Sequence, residues 1–253
     1  RLQGDWSSDV CSSDLEKYIL NDPKYLHTKS KMNYGVSVDC VVFGFDENEL
    51  KVLLIRCDLT PYQHLFSLVG ELVEAGENLD EAANRILLKQ TSLNNIYLKQ
   101  VKTFGSVNRH PFGRVFSVAY FSLVKVSDYK LTNGSKANEA HWHEISKIGT
   151  LAFDHNTILQ TCLEALRKKV REEPVGFELL PEVFTISQLQ NLYERILGIE
   201  LDKRNFRKKI MKMKILIDHD EIQSNVSHRP AKYYSFDKVR YEKLKKEGLI
   251  FEL

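Results

Sequence analysis

The sequence predicts an α+β protein of two domains, a mixed-sheet α/β/α sandwich followed by a winged helix-turn-helix. Three observations support this prediction. Strand-like segments of the first part are interspersed with only two helices and show no βαβ repetition, which indicates a mixed sheet covered by helices. Pro174 and Gly176 then interrupt a long helix and mark a boundary. Two short helices and two strands follow, in the order typical of a winged helix.

Six segments of the first domain have the composition of β-strands. In the first of them (VSVDCVVFGF), Val36, Val38, Cys40 and Val42 alternate on one face. The predicted strands are 36–45, 50–57, 66–70, 97–105, 115–126 and 139–145.

Two helices are predicted in this domain. The first begins near Leu79 and places its core residues at helical spacing. These residues are Leu79, Ala83, Ile86, Leu87 and Gln90. The second runs from about His155 to Arg171, with Asp154 as its expected N-cap. Its apolar side is formed by Ile158, Leu159, Cys162, Leu163, Leu166 and Val170.

Composition places the chain among ordinary globular proteins. Its 253 residues are 43% hydrophobic and 28% charged, with a formal net charge of +2. The longest mostly apolar run, Val115–Val124, is half the length of a membrane span. Four cysteines without ligand-like spacing favour reduced thiols in a cytoplasmic protein over a zinc site. His141 and His143 share one strand face without an apparent third ligand, so neither a metal nor another cofactor is predicted.

The N-terminal segment is set aside from the fold prediction. Residues 5–15 (DWSSDVCSSDL) look like the in-frame translation of a sequencing adapter, the alternative being a genuine serine-rich tail. Met32 is a plausible start. The predicted divisions are therefore an uncertain segment at 1–31, a first domain at 32–173 and a second at 174–253.

The second domain begins with a capped helix. Thr185 and Gln188 form a capping box, Phe184 and Leu189 occupy the staple positions, and Gly198 is placed to end the helix. After a short turn, Asp202 is expected to start a second helix, DKRNFRKKIMKM.

This second helix has one apolar and one basic face. Phe206, Ile210 and Met213 share the first, whereas Arg204 and Lys208 lie on the second. Lys212 continues that basic face, with Asn205 and Arg207 beside it. Residues 203–214 contain seven bases and no acid, so salt bridges within the helix cannot explain the bases. A solvated surface is the usual explanation of such a run, but this pattern favours a DNA recognition helix. Strands at KILID and KYYSF would form a hairpin with a wing tip at 219–230, from which His228 and Arg229 could reach the minor groove or a phosphate.

The stretch GELVEAGENLDEAANRILLKQTSL, residues 70–93, resembles the Nudix box of diphosphate hydrolases, G-x5-E-x7-R-E-U-x-E-E-x-G-U. Glu77 and Arg85 match the box and fit a structural ion pair. The positions of its three metal-binding glutamates are Ile86, Lys89 and Gln90 instead. Because Mg²⁺ sites need anionic oxygens, the resemblance implies a Nudix scaffold without catalytic residues. An ordinary amphipathic helix is the alternative.

Further candidate ligand contacts lie outside the helix of the box. In the loop Asn108–Arg114, Arg109 and Arg114 beside His110 could form a fork for phosphate or sugar hydroxyls. A solvated turn with salt bridges explains this loop equally well. Arg56, at the end of a strand, is a similar but weaker candidate, and Glu71 is assigned to the same ligand set.

From about Tyr34 to Phe236 the chain resembles the Nudix-related transcriptional regulators. The resemblance rests on the degenerate box, on the FDH sequence before the long helix, and on the segments LLPEVFTISQLQNLYE and DKRNFRKK. The resemblance implies a homodimer on a partly palindromic operator. It also implies a sugar, ADP-ribose or another nucleotide-sugar as effector, bound without hydrolysis. Members of the family respond to ADP-ribose or to arabinose, and this chain resembles the sugar-responsive type more closely.

The DNA contacts expected from this family divide into two sets. Arg204, Asn205 and Lys208 are expected at base edges. Thr185, Gln188, Lys209 and Lys212 are expected at phosphates, and Lys203 and Arg207 belong to the same surface. Two other functions are compatible with the sequence: an active Nudix hydrolase with an oligomerising C-terminal domain, and a ligand sensor whose second domain binds a protein.

Overall fold

A computed structural model describes residues 34–46, 48–129, 140–224 and 230–252. The uncertain segment 1–31 therefore lies outside the described residues, as do the predicted wing residues His228 and Arg229. Among the described residues, no helix has the length and apolarity needed to cross a membrane.

The first domain contains all six predicted strand segments and both predicted helices. Its strands are β1 (Gly35–Phe45), β2 (Leu50–Arg56), β3 (Phe66–Ser67), β4 (Val69–Leu72), β5 (Lys99–Phe104), β6 (Val115–Lys125) and β7 (Ala140–Glu144). Its helices are α1 (Leu79–Thr91) and α2 (His155–Glu172). The predicted strand at 66–70 is divided into β3 and β4, because its two parts pair with different neighbours.

Seven strands form one mixed sheet in the order β3-β2-β1-β6-β5, with β4 also paired to β1 and β7 to β2. The long central strands β1 and β6 run parallel, from Gly35 opposite Val115 to Phe45 opposite Lys125. All other pairings in this sheet are antiparallel. The sheet is therefore mixed, as predicted.

The alternating faces of β1 supply two separate cores. Val38, Cys40 and Val42 pack with α1, where Ile86 and Leu87 are buried. Val41, Phe43 and Phe45 pack on the opposite side with α2. Because each face is covered by one helix, the predicted α/β/α arrangement is confirmed.

The second domain has the predicted winged-helix elements. A 3₁₀ helix (Val175–Leu179) leads into β8 (Phe184–Thr185), α3 (Ile186–Leu197), α4 (Lys203–Met213), β9 (Leu216–Ile222), β10 (Lys232–Phe236) and α5 (Lys238–Lys246). The strands pair in the order β8-β10-β9. The predicted wing tip is wrong at its start, because His219 to Ile222 belong to β9. β9 is longer than predicted because it pairs with β10, where Lys232 lies opposite Ile222. Lys232 Nζ also lies 3.1 and 3.2 Å from Asp218 and Asp220.

Helices α3 and α4 begin where predicted, and each has a capping side chain. The Thr185 hydroxyl accepts from the Gln188 backbone N–H, and the Gln188 side chain accepts from the Thr185 N–H. Asp202 caps α4 by accepting from the Asn205 N–H. Gly198 ends α3 with φ +68°, a left-handed conformation that glycine adopts at little cost.

Candidate ligand-binding cleft and DNA-binding surface

A cleft of about 440 Å³ opens at the end of the sheet where β1, β3 and β4 meet the start of α2. Arg56, Glu71, Arg109 and His110 line it, so the structure brings four of the five predicted ligand residues together. Clefts of about 540 and 480 Å³ lie instead beside the connector around Glu173 and Val175. We place the ligand site in the first cleft because its floor contains buried ionisable side chains.

Asp39 is the centre of that floor and was not predicted as a site residue. Its carboxylate is 5% exposed and accepts a hydrogen bond from the Ser117 hydroxyl. Arg109 Nη2 lies 3.6 Å from one carboxylate oxygen, and His155 Nε2 lies 3.6 Å from the other. A Cβ at Gly70 would come within 2.1 Å of Asp39 Oδ1, so this close approach requires glycine.

His155 is held in one tautomer by its neighbours. Its Nδ1 accepts from the Leu68 backbone N–H at 2.9 Å, which leaves the proton of the neutral ring on Nε2, facing Asp39. Burial lowers the pKa of His155, although Asp39 opposes that shift. The cleft therefore presents a neutral imidazole next to the Asp39 side chain.

The predicted arginine fork is not formed. Arg109 donates to both carboxylate oxygens of Asp154, at 3.0 and 2.8 Å, and its side chain is 3% exposed. Arg114 lies 4.5 Å from the Phe116 ring centroid and is not among the residues that line the cleft. Asp154 occupies the predicted N-cap position of α2, but its side chain makes no capping bond because it holds Arg109.

Two other predicted residues lie against aromatic rings. His110 stacks on Phe153, with centroids 5.3 Å apart and an interplanar angle of 5°. Burial and the nearby Arg109 lower the pKa of His110. The Arg56 guanidinium is exposed at the mouth of the cleft, 5.8 Å from the Phe66 ring centroid.

The basic residues of α1 are fully engaged with acids. Arg85 binds Glu77 with both Nε and Nη2, at 2.9 and 2.7 Å, which confirms the predicted loop-to-helix ion pair. These bonds lower the pKa of Glu77 to about 2. Lys89 Nζ lies 2.9 and 3.0 Å from the two carboxylate oxygens of Glu71. Burial alone would raise the pKa of Glu71, but Lys89 and Arg85 lower it overall.

The three positions aligned with the box glutamates in the sequence analysis have different surroundings. Ile86 is fully buried against the sheet, and Gln90 is 7% exposed, lines the cleft and donates to the Gly70 carbonyl at 3.0 Å. Only Lys89 remains exposed. Within the described ranges, no cluster of three or more His, Cys, Asp or Glu side chains is arranged to hold a metal ion.

The basic side chains of α4 have no such partners. All seven bases of residues 203–214 are exposed, while Phe206 and Ile210 face the core. In the part of the chain that the structure describes, none of these seven forms a salt bridge. Thr185, by contrast, is 2% exposed and its hydroxyl caps α3, which leaves it a structural role instead of the predicted phosphate contact.

Comparison with known families agrees with this geometry. Residues 33–166 match the NUDIX domain family, and residues 176–236 match the NrtR DNA-binding winged helix domain. The chain is 32% identical over 212 residues to the ADPR responsive transcriptional repressor NtrR of Acinetobacter baylyi, covering 82% of this chain and 84% of that protein. The chain belongs to the Nudix-related transcriptional regulators. It is a DNA-binding regulator whose Nudix domain binds a ligand.

Two further proteins, a DNA-binding protein and an enzyme, are similar to this chain. Crystalline Shewanella oneidensis NrtR complexed with a 27mer DNA is similar with a TM-score of 0.65 and 27% identity, over 79% of this chain and 93% of that one. Its NUDIX domain complexed with ADP ribose gives a TM-score of 0.51 at 26% identity, over 59% and 97%. An ADP-ribose pyrophosphatase of Methanocaldococcus jannaschii is 33% identical over 147 residues, 58% of this regulator and 78% of the enzyme.

Proposed function

We propose that the Nudix domain of this regulator binds a sugar-containing effector without hydrolysing it, and that bound effector changes operator binding by the winged helix. The observation that carries the proposal is the contrast between two sets of bases. In the degenerate box, the Lys89 ammonium binds the Glu71 carboxylate. The bases of α4, by contrast, are exposed and have no acidic partner among the described residues.

The chemistry of the box supports binding without hydrolysis. An alkyl group, an ammonium and an amide replace the three carboxylates that would hold Mg²⁺. An ammonium 4 Å from a metal position opposes each unit of positive charge by roughly 4 kcal/mol near a protein surface, and a divalent ion by about twice that. The ammonium of Lys89 thus competes with a metal for Glu71.

A hydrolysis assay tests this directly. The protein is incubated with ADP-ribose and Mg²⁺ or Mn²⁺, and release of AMP is measured. We expect no release above that of buffer. Turnover by the wild type would instead favour the hydrolase with an oligomerising tail. The variant Lys89→Glu/Gln90→Glu, which restores two carboxylates, is the matched comparison and should bind Mn²⁺ more tightly than the wild type.

Two effectors are favoured by different observations. ADP-ribose is favoured by the relatives, one named as responsive to it and one crystallised with it. A neutral sugar is favoured by the charges of the cleft. Arg109 is neutralised by Asp154, and Glu71 is neutralised by Lys89. The remaining acids of the cleft, Asp39 and Asp58, outnumber Arg56. Among the described residues that line the cleft, a diphosphate would meet one accessible cation, Arg56. Sugar hydroxyls, by contrast, can donate to the carboxylates.

A thermal-shift panel separates these two effectors, because a ligand that prefers the native state raises the melting temperature. The panel contains ADP-ribose, pentoses, hexoses and nucleotide-sugars. If ADP-ribose is the effector, Arg56→Ala should reduce its shift. If a neutral sugar is the effector, Arg56→Ala should leave the shift unchanged and Asp39→Asn should reduce it. A panel without any shift would contradict the proposed sensing function.

The proposed DNA contacts come from the exposed face of α4 and from Gln188 at the start of α3. Arg204, Asn205 and Lys208 contact base edges in the major groove, where arginine favours guanine and asparagine adenine. Gln188, Lys203, Arg207, Lys209 and Lys212 contact phosphates and set the position of the helix. Binding-site selection on the full chain would identify the operator. Binding that does not weaken steeply with salt would favour a protein partner for the second domain.

We further propose that the regulator acts in the cytoplasm as a homodimer on a partly palindromic operator. A recognition helix reads one half-site, and a two-fold dimer places two such helices about one helical turn of DNA apart. Light scattering of the free protein and the half-site spacing of selected duplexes test this. A monomer that selects a single, non-repeated half-site would contradict it.

A further inference from the structure

We infer that Arg167 is a positioning residue that fixes the recognition helix α4 relative to the ligand cleft, with α2 as the connecting element. This inference rests on the proposed sensing function and assigns its transmission to particular contacts. It is supported by a series of hydrogen bonds that leads from the cleft through α2 and α3 to the start of α4.

The first turn of α2 belongs to the cleft. His155, its first residue, binds the Leu68 backbone and faces Asp39, and Asp154 immediately before it holds Arg109. A ligand that displaces Asp39, Arg109 or His155 therefore acts directly on the N-terminal end of α2. Phe153, which also lines the cleft, is part of the same segment.

The body of α2 is suited to carry such a displacement. It contains 18 residues without glycine or proline, which corresponds to about 27 Å at 1.5 Å per residue. Leu166 and Val170 of its second half belong to one buried cluster with Leu189 and Leu192 of α3. The helix thus packs on the sheet at one end and on the winged helix at the other.

Arg167 joins the far end of α2 to the end of α3. Its Nε donates to the Ile196 carbonyl at 3.1 Å, one of the last carbonyls of α3. Helix C-termini leave such carbonyls unpaired and carry partial negative charge, so a cation there is favourable. A Cβ on Gly198 would lie 2.7 Å from Arg167 Nη2, which means that this contact also depends on glycine at the helix end.

The end of α3 is in turn tied to the start of α4. Glu194 accepts from the Leu201 backbone N–H at 2.9 Å. Gln190 donates to the Leu201 carbonyl and to Glu194, both at 2.8 Å. Asp202, the next residue, caps α4. The position of the recognition helix therefore follows the position of α3, which Arg167 sets.

A second connection between the domains is weaker. Arg195 lies 3.6 Å from Glu49 in the turn between β1 and β2, but both side chains are nearly half exposed. Exposed pairs of this kind contribute little. Arg167 is less exposed and binds a backbone carbonyl, so it is the better candidate for fixing the orientation.

The test measures how much a ligand changes operator affinity in three variants of the full chain. The probe is ADP-ribose, or the sugar that raises the melting temperature if ADP-ribose does not, and the operator is the duplex from binding-site selection. Allosteric coupling typically changes affinity by about 5- to 150-fold. We expect Arg167→Ala to bring the ratio of operator Kd values with and without probe close to 1.

Two readouts distinguish this role from a merely structural one. Arg167→Ala should keep the thermal shift by the probe, and its operator Kd without probe should stay within a few-fold of wild type. Lys168→Ala is the matched control, since Lys168 is the exposed neighbour on the same helix and should keep the wild-type ratio. Arg167→Lys retains a donor and should restore part of the ratio.

The outcomes separate the two proposals. A wild-type ratio that persists in Arg167→Ala would overturn the role of Arg167 and leave the sensing function intact. A wild-type ratio of 1 with every probe would overturn both. If Arg167→Ala does not fold, amide hydrogen exchange on the wild type decides. The probe should change exchange at Leu201 and the first turn of α4, and unchanged exchange there would overturn the inference.

Discussion

Helices α1 and α4 are alike in one respect and opposite in another. Each buries an apolar face, formed by Ile86 and Leu87 in α1 and by Phe206 and Ile210 in α4. The bases of α1, Arg85 and Lys89, bind the acids that precede the helix. The bases of α4 have no acid within its own sequence.

This difference shows how the partners of a base indicate its role. A base that already binds a carboxylate contributes to the fold and is not available to an external anion without losing that partner. A base that stays exposed without an acid adds repulsion to the folded state, which a DNA phosphate would relieve. The same residue types thus bind neighbouring carboxylates in one domain and form an exposed basic surface in the other.

The largest expected effect concerns the feature that both helices share. Ile86→Ala and Ile210→Ala should each lower the free energy of unfolding by about 2–5 kcal/mol, because both residues are fully buried. Urea denaturation monitored by circular dichroism measures this. Leu88→Ala, on the exposed side of α1, is the control and should change stability by less than about 0.5 kcal/mol. Equal losses at Leu88 and Ile86 would contradict the assigned faces.

Arg204→Ala tests whether the exposed bases of α4 recognise DNA. We expect operator affinity to fall by about 1–3 kcal/mol, or about 5- to 150-fold, with relaxed preference at one operator position. The free energy of unfolding should not change, since Arg204 is exposed. Binding-site selection with the variant measures the preference. A profile identical to that of the wild type would exclude Arg204 from base contact.

Lys212→Ala should have a smaller and more uniform effect. As a phosphate contact it should weaken all duplexes alike and reduce the slope of log K against log salt by about 1. Fluorescence anisotropy at several salt concentrations gives the slope. Loss of preference at a single operator position would instead make Lys212 a base contact.

Lys89→Ala tests whether the paired bases of α1 are structural. Because the Lys89–Glu71 ion pair is partly exposed, its loss should lower the free energy of unfolding by about 0–1 kcal/mol. The effect should be smaller at high salt. Operator affinity without effector should equal that of the wild type. A loss of operator affinity as large as that of Arg204→Ala would remove the distinction between the two helices.

The decrease of stability at acid pH should reflect the ion pair between Arg85 and Glu77. Arg85 holds the pKa of Glu77 at about 2, below its ordinary value of 4.5. A carboxyl whose pKa is lower in the folded state stabilises fully above the unfolded pKa and loses that contribution as the pH falls toward the folded one. Urea midpoints of the wild type should therefore decline between pH 4.5 and about 2. Arg85→Ala should show a smaller decline, and an equal one would contradict the assignment.

Local signals in the sequence predicted most of the fold. Strand alternation, the capping box at Thr185 and the stop at Gly198 each depend on a few neighbouring residues, and the structure confirms them. The division of 66–70 and the extension of β9 to Ile222 were missed, because both depend on pairing with distant strands. The parallel register of β1 with β6, which joins residues 80 positions apart in pairs such as Gly35 and Val115, likewise has no local signal.

The cleft was only partly predictable for the same reason. Arg56, Glu71 and His110 line the cleft, and their ligand contacts stay a prediction. Arg109 was expected to be free but is buried against Asp154, a residue 45 positions later. Asp39 and His155 were missed because the fold alone brings them together. One signal was available: Asp39 is the single charged residue in the strand VSVDCVVFGF, and a buried charge needs specific partners.

The ammonium opposite Glu71 differs from a metal ion in one physical respect: it is a covalent part of the chain. A chelator cannot remove it, and its abundance does not vary with the magnesium content of the cell. Charge balance at this carboxylate is therefore settled when the protein is made. At this carboxylate, an effector would therefore meet the same charge whatever the magnesium concentration around the protein.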